Sequence, residues 1–293
     1  MSSSSDTPLR AALAEQGFVV LPGLFTGPAL DELRAAAERT TALARSGGWP
    51  HIRTVGKQFP PWPSTAPAEG IWGVQHLLHP SLADAGVFAR SYFAPAVLAA
   101  ARDLLACADD DLVLELYNML VRPGAAFELR WHRDDVSPDL APDEEARRLD
   151  EPAWHAQWNL ALWDDDGLVL VPGSHRRART DVERAAGPYD ELPGQISVRL
   201  APGDVAFYNN NILHRGVYDP AKERMTLHGS VGHAAGSRAR ARNVLQHGVG
   251  EWVERCDFSV LTGEGERERA EGMRDRLVAL GKESGDVGYS LEG

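Results

Sequence analysis

The spacing of apolar and polar positions divides the chain into a helical first third and a longer region of short strands. In the segment Thr26–Arg45, residues Leu30, Leu33 and Ala37 recur at the three- and four-residue spacing of an amphipathic helix. Its first residue, a threonine, is of a type that caps helices. Further helices are predicted at 7–16 and in two stretches within 80–106, and residues 264–282 are expected to form a polar surface helix.

After residue 110, runs of strand-forming residues alternate with glycine and proline turns. The predicted strands are 112–121, 157–163, 167–171, 195–200, 203–208 and 224–231. Turn signals such as Pro123-Gly124, Pro172-Gly173 and Pro202-Gly203 separate most of them. Many short strands joined by such turns are typical of a sandwich or a barrel. The fold class predicted here is therefore mainly β, with flanking helices.

Neither an internal repeat nor a long linker is visible, so the pattern predicts one domain spanning residues 1–293. It comprises a largely helical N-terminal part (1–110), a strand-rich core (111–235) and a C-terminal extension (236–293). Residues 49–78 carry many prolines, glycines and tryptophans and show little periodicity. We expect them to form an ordered loop and part of a pocket wall.

Composition excludes several classes of partner. The formal net charge is −12, whereas nucleic-acid binding usually leaves a basic face. Two short basic runs, at 176–179 and 238–242, are typical of solvated rims; the alternative is an entrance for an anionic substrate. We therefore expect a small-molecule substrate, no nucleic acid and no membrane. The protein is expected to be a monomer or a homodimer.

The cysteines and the termini indicate the compartment. Cys107 and Cys256 do not form a Cys-x-x-Cys pair, which argues against a thiolate zinc site and a disulfide framework. The serine run at 1–6 lacks the basic and apolar parts of a signal peptide. The longest apolar region, near 87–108, is too polar to span a membrane. A cytoplasmic location is therefore expected.

The candidate chemistry begins with His132 and Asp134, which share one face of an extended chain. Taken alone, a His-x-Asp pair is more typical of a surface hydrogen bond. His214 adds a second imidazole, and two histidines with one carboxylate make the facial triad of non-haem iron oxygenases. Arg224 and Thr226 follow on one face of a predicted strand, where a guanidinium and a hydroxyl can bind a carboxylate.

In the order of its motifs, the sequence resembles the phytanoyl-CoA dioxygenase (PhyH) family of 2-oxoglutarate-dependent oxygenases. The resemblance covers about residues 17–231. It rests on Gly17-Phe-Val-Val-Leu-Pro-Gly23, Trp131-His132-Arg133-Asp134, Gly167-Leu-Val-Leu-Val-Pro-Gly-Ser-His175, Gly203-Asp204, His214 and Arg224. It implies a double-stranded β-helix, a jelly-roll or cupin-like core, over 111–235.

The resemblance also implies a set of site residues and cofactors. Fe(II) would be held by His132, Asp134 and His214. 2-Oxoglutarate would be bound by Arg224 with support from Thr226, and O2 would complete the reactants. Asn118 and Trp158 would line the cosubstrate pocket. Because related halogenases replace the triad carboxylate by a small residue, the aspartate implies oxygenation rather than halogenation.

Several polar residues have more than one interpretation. His175 is expected to hold its turn, and His228 either lines the pocket or is a core histidine. Tyr208 is expected in the pocket wall, and Arg215 points away from the metal, toward a substrate acid. The acidic segment 136–153 resembles an inserted lid.

Three functions are compatible with these residues. The expected one is an iron- and 2-oxoglutarate-dependent dioxygenase that oxidises an unactivated C–H bond of a small molecule, in secondary metabolism. Hydroxylation is the expected outcome, and desaturation, epimerisation and ring formation stay open because all share one iron site. The alternatives are a cupin-like metal enzyme that does not use 2-oxoglutarate and a non-catalytic jelly-roll binding module. Arg224 and Thr226, placed after the second histidine, speak against the first alternative. The intact triad together with Arg224 speaks against the second.

Overall fold

The computed structural model describes residues 7–55, 60, 70–152 and 154–287, and its centre is a pair of antiparallel sheets. The strands are β1 (Phe18–Leu21), β2 (Ile52–Thr54), β3 (Ile71–Val74), β4 (Leu112–Val121), β5 (Phe127–Glu128), β6 (His155–Ala161), β7 (Asp165–Leu170), β8 (Ile196–Leu200), β9 (Val205–Tyr208), β10 (His214–Tyr218) and β11 (Met225–His233). Seven follow the order β1-β9-β6-β11-β4-β3-β2, and four follow β5-β10-β7-β8.

Helices surround the sheets and cover one face of the larger one. They are α1 (Pro8–Gln16), α2 (Gly27–Arg45), α3 (Ala85–Tyr92), α4 (Pro95–Leu105), α5 (Pro142–Leu149), α6 (Asp181–Ala185), α7 (Arg238–Gln246) and α8 (Glu266–Lys282). The predicted stripe of Leu30, Leu33 and Ala37 on α2 is buried in the main hydrophobic core. Thr26 lies at the N-cap of α2, but its side chain makes no capping hydrogen bond.

The two faces of the larger sheet have different partners, as β11 shows. Leu227 and Val231 are fully buried in the main core with the helices. His228 and Ser230 point to the other face, where they line a cavity. This follows from the two-residue period of a strand, which sends successive side chains to opposite faces. The sheet therefore supplies the core on one side and a polar site on the other.

The structure confirms the mainly β fold class and changes some element assignments. The segment 49–78 contains β2 and β3, so it is not only a loop. Its predicted role in a pocket wall is confirmed for Arg53 and Trp72, which line the cavity; residues 56–59 and 61–69 fall outside the described residues. β5 and β10 were not predicted, because both are short and pair through contacts that local sequence does not encode.

The 238–242 run, predicted as a surface loop or rim, instead belongs to α7, where Ala241 and Val244 are buried. Similarly, α8 is not merely a polar surface helix, since Met273 and Leu277 are fully buried. No helix in the described part of the chain is long and apolar enough to cross a membrane.

His76 connects the N-terminal part to the C-terminal extension. It is buried and has a left-handed backbone, with φ of 63°. Its Nε2 lies 2.8 Å from the carbonyl oxygen of His247, and Trp252 Nε1 donates to its Nδ1 over 3.2 Å. A carbonyl only accepts, so Nε2 carries the hydrogen and the ring is neutral. Burial, with the nearby His51, lowers the pKa of His76 to about 3.

Because the pKa of His76 is low in the folded protein, we expect the protein to lose stability in acid. An unfolded histidine has a pKa of about 6.5, so between pH 6.5 and 3 the unfolded chain binds the extra proton. We expect the free energy of unfolding to fall in that window by up to about 1.4 kcal/mol per pH unit from this group. Urea unfolding at several pH values would test this, because the free energy of unfolding of a His76→Gln variant should change with pH along a shallower slope. Equal slopes in the two proteins would contradict the assignment.

Candidate active site

His132 and His214 lie side by side because their backbones pair. Each backbone N–H donates to the carbonyl of the other over 3.1 Å, and the ring centroids are 4.3 Å apart. Asp134 Oδ1 lies 3.5 Å from His132 Nε2 and 3.6 Å from His214 Nε2. One potential ligand atom from each residue thus lies within 4.8 Å of the others. The fold brings the three predicted metal ligands together.

Hydrogen bonds from the surrounding backbone orient the two imidazoles. Nδ1 of His132 donates to the Arg130 carbonyl over 2.8 Å, and Nδ1 of His214 donates to the Ile212 carbonyl over 2.9 Å. Each Nε2 therefore keeps its lone pair for a cation, an arrangement common around protein-bound metals. Gln157 Nε2 donates to Asp134 Oδ2 over 3.1 Å and leaves Oδ1 toward the histidines.

The charges of the triad suit a divalent cation. Burial, and then the neighbouring His214, lowers the pKa of His132 to about 4, so its ring is neutral near pH 7. Burial alone would raise the pKa of Asp134, but the two histidines hold it below its usual value. Two imidazoles and one carboxylate, all oriented in advance, are a fitting donor set for Fe(II).

The triad lies on the wall of a cavity of about 820 Å³ between the two sheets. Both sheets line it, and so does the acidic segment 136–153 through residues 136–139, 148, 149, 151 and 152. This segment contains α5 and forms one wall of the cavity. The carboxylate of Glu145 on that helix is buried and accepts a hydrogen bond from Arg133 Nε over 3.0 Å. The wall segment is thereby attached to the residue between the two triad members His132 and Asp134.

Arg224 is held at another part of the same cavity. Its Nε donates to Asp165 Oδ2 over 3.2 Å, and its Cζ lies 4.2 Å from the centre of the Tyr218 ring. Its Nη1 is buried and has no hydrogen-bond partner among the described residues. A Cβ at Gly167 would come within 2.8 Å of the Arg224 Cζ, so glycine there makes room for the guanidinium. The arginine is fixed, with donor capacity left for an anion.

Asp165 keeps this arginine charged and was missed by sequence reasoning. Burial would raise the pKa of Asp165, but Arg224, the Thr226 hydroxyl and the Gly167 N–H hold it below its usual value. The same carboxylate raises the pKa of Arg224 against the effect of burial. In the sequence, Asp165 belongs to an Asp-Asp-Asp-Gly run that reads as a turn. No local signal points to its role, because Arg224 and Thr226, which it contacts, lie 59 and 61 residues away along the chain.

The other predicted cosubstrate residues lie outside the cavity lining. Thr226 is fully buried, and its hydroxyl donates to Asp165 Oδ2. Asn118 Oδ1 accepts the His76 backbone N–H over 3.1 Å. Trp158 packs within the main core, its ring centroid 5.5 Å from that of Tyr92. Direct contacts of these three residues with 2-oxoglutarate stay predictions.

Three further polar residues are found where the sequence suggested. His228 lines the cavity, and this position decides between its two interpretations. Its Nδ1 lies 2.9 Å from Asn159 Oδ1. Tyr208 is also in the cavity wall. His175 Nε2 donates to the Ala14 carbonyl over 3.2 Å and so holds its turn against α1. The histidine at 228 therefore belongs to the site as well as to the sheet.

Comparison with solved structures shows the same fold. EctD from S. alaskensis with bound Fe matches with a TM-score of 0.57 and 19% identity, covering 81% of this chain and 80% of that one. AviO1 from Streptomyces viridochromogenes Tue57 matches at 0.54 and 21%, covering 80% and 98%. The epimerase SnoN, in complex with Fe3+, alpha ketoglutarate and nogalamycin RO, matches at 0.51 and 19%, covering 77% and 82%.

These likenesses confirm the double-stranded β-helix, and His132, Asp134 and His214 form a candidate facial triad within it. The chain is a 2-oxoglutarate-dependent non-haem iron oxygenase, with iron and 2-oxoglutarate as its cofactors. More particularly, residues 13–217 match the model of the phytanoyl-CoA dioxygenase (PhyH) family, and the chain belongs to that family. No curated protein sequence matches it.

Proposed function

We propose that His132, Asp134 and His214 bind Fe(II), that Arg224 binds the distal carboxylate of 2-oxoglutarate, and that the enzyme hydroxylates an unactivated C–H bond of a small molecule. One observation carries the proposal. Three convergent ligand atoms and an arginine with an unused donor lie on the wall of one cavity. The cavity, of about 820 Å³, can hold the cosubstrate together with a small substrate.

The chain contributes orientation and charge to this reaction. Bound iron, 2-oxoglutarate and O2 supply the oxidising power for C–H cleavage, with decarboxylation of the cosubstrate to succinate and CO2. The backbone carbonyls at 130 and 212 orient the two imidazoles, and Gln157 orients Asp134. Asp165 and Tyr218 hold Arg224 in place for the carboxylate. Because Asp134 would occupy one coordination position of the bound metal, oxygenation is favoured over halogenation.

We further propose a role in secondary metabolism. SnoN, which shares the fold, is described as an epimerase from nogalamycin biosynthesis. Family membership argues against the alternative of a cupin-like enzyme that does not use 2-oxoglutarate. Turnover of 2-oxoglutarate distinguishes the proposal from the alternative of a non-catalytic binding module, which would not form succinate.

The test is succinate formation. Purified protein with Fe(II), ascorbate, 2-oxoglutarate and O2 is expected to release succinate slowly without substrate, and faster when a screened small molecule is accepted. Mass spectrometry should show the accepted compound heavier by one oxygen. The His132→Ala variant is expected to lose both activities. Equal succinate release by this variant would contradict the proposed ligand, and loss of two hydrogens without gain of oxygen would contradict hydroxylation.

A further inference from the structure

Most arginines near the cavity form an ion pair with a carboxylate. Those with such a partner are Arg133, Arg179 and Arg184 on Glu145, Arg148 on Glu144 and Glu151, Arg215 on Glu128, Arg224 on Asp165 and Arg240 on Glu115. The basic runs considered as an entrance for anions are also largely paired, as Arg177 is with Glu183 and Arg242 with Asp286. They therefore offer little free charge to a ligand.

Arg53 differs from these arginines. It lies on β2 and lines the cavity, and no carboxylate in the described ranges forms an ion pair with it. Its Nε is buried without a hydrogen-bond partner. Its Cζ lies 5.3 Å from the centre of the Trp72 ring, which holds the guanidinium in place. Burial lowers the pKa of Arg53, with only the longer-range Tyr218, Asp134 and Tyr208 acting against it.

Arg53 is half-buried, and a guanidinium that is partly withdrawn from water without an ionic partner carries part of the cost of an unpaired buried charge. Burial of an unpaired charge is unfavourable, and proteins usually avoid it by supplying a partner. Nothing in the described core supplies one for Arg53, and its neighbour Trp72 contributes only its ring face. The open side of Arg53 is the cavity. An anion arriving there would remove the cost, as expected of a residue kept for binding and not for stability.

The cosubstrate does not need this arginine. 2-Oxoglutarate has two carboxylates: the proposed function assigns one to Arg224 and the other, with the 2-oxo group, to the metal. Arg53 is then left for an anion from another molecule in the same cavity. A guanidinium fixed by an aromatic ring suits a carboxylate, which it can bind through two parallel hydrogen bonds.

We propose that Arg53 binds a carboxylate of the substrate, so that the substrate class is a small carboxylic acid. The inference rests on the proposed function, because it takes the two carboxylates of 2-oxoglutarate as already placed. It also identifies a specificity residue in a segment that the sequence pattern treats as a loop.

A pair of probes tests the proposal without knowledge of the natural substrate. Phenylacetate and phenylacetamide differ mainly in charge. Protein loaded with redox-inactive Zn(II) and saturated with 2-oxoglutarate is expected, in calorimetry, to bind phenylacetate at least about tenfold more tightly than the amide. Arg53→Met should abolish this preference. Arg148→Gln, at a paired cavity arginine, should keep it.

Arg130 provides the sharpest comparison. It also lines the cavity, has a buried Nε without a partner and has no carboxylate ion pair in the part of the chain described. Unlike Arg53, it has no aromatic ring over its guanidinium among the described residues. Arg130→Met should therefore keep the preference for the acid, and loss of the preference in Arg130→Met but not in Arg53→Met would assign the carboxylate to Arg130. The proposal is overturned if the wild type shows no preference for the acid, or if the preference survives Arg53→Met. It is also overturned if Arg53→Met weakens 2-oxoglutarate binding tenfold, since the arginine would then serve the cosubstrate. If the wild type does not bind 2-oxoglutarate, the proposed function is contradicted instead. The comparison of phenylacetate with phenylacetamide, repeated without 2-oxoglutarate, then still tests whether Arg53 binds a carboxylate.

Stability gives a second readout that needs no ligand. If Arg53 is a binding residue, the ligand-free Arg53→Met protein should melt at or above the temperature of the wild type, because a desolvated charge has been removed. Arg240→Met should melt lower, because it leaves the buried Glu115 without its partner. A marked fall in melting temperature for Arg53→Met would show a structural role and overturn the proposal.

Discussion

Replacement of Glu145 by glutamine is expected to lower the free energy of unfolding by about 3–5 kcal/mol, the range for breaking a buried ion pair on one side. The Glu145 side chain is fully buried on α5 and contacts three guanidinium groups, those of Arg133, Arg179 and Arg184. Glutamine keeps the volume but removes the charge. Three buried or partly buried cations would then face a neutral amide, which is the source of the large effect.

The neighbouring residue gives a matched control. Glu144 lies on the same helix, but its side chain is 41% exposed and pairs with Arg147 at the surface, so Glu144→Gln should leave the melting temperature unchanged. Chemical denaturation of both variants measures the difference. Because Arg133 lies between two triad residues, the Glu145→Gln protein should also bind Fe(II) more weakly at temperatures where it is folded. Equal stability of the two variants would show that Glu145 does not anchor this segment.

Removal of the Arg224 guanidinium should have the largest effect on cosubstrate binding. We expect Arg224→Met to weaken 2-oxoglutarate binding by about a hundredfold or more, as is typical when one partner of a buried, hydrogen-bonded charge pair is removed. Its Nη1 is buried without a partner, so a donor is already in place for the distal carboxylate. Anaerobic titration of the Fe(II)-loaded protein measures the dissociation constant.

A double variant separates binding from folding in this test. Arg224→Met alone leaves the buried Asp165 without its cation, so the Arg224→Met/Asp165→Asn protein should recover stability but not affinity. Arg122→Met, at a partly exposed arginine paired with Glu223, should bind 2-oxoglutarate like the wild type. A double variant with wild-type affinity would assign the carboxylate to another residue.

Strands with a clear local pattern could be predicted, while strands defined by their partners could not. The alternation in β11 and the apolar composition of β4 are visible in the sequence, and both strands lie at the centre of the larger sheet. β10 begins at His214 and consists largely of polar residues and glycine. It is a strand because β7 and β5 pair with it. β2 has three residues, too few to show a period.

The residues of the site also fall into those that the sequence identifies and those that only the folded structure reveals. His132, Asp134, His214 and Arg224 could be identified because motif spacing and family resemblance point to them. Asp165 could not, because its partnership with Arg224 exists only after β7 and β11 are brought together. The same holds for Gln157 beside Asp134 and for Arg53, whose lack of a partner is visible only in the folded protein. Local sequence therefore predicts the ligands better than the residues that orient them.

The most direct test of the account is the anaerobic addition of 2-oxoglutarate to Fe(II)-loaded protein, followed by visible absorption. The wild type is expected to develop the band of iron chelated by a 2-oxo acid. His132→Ala and His214→Ala should lose it, because each removes one of two imidazoles that converge on Asp134. His233→Ala, at a histidine packed against Trp154 outside the triad, should retain it. A band of wild-type intensity in either triad variant would contradict the proposed metal site.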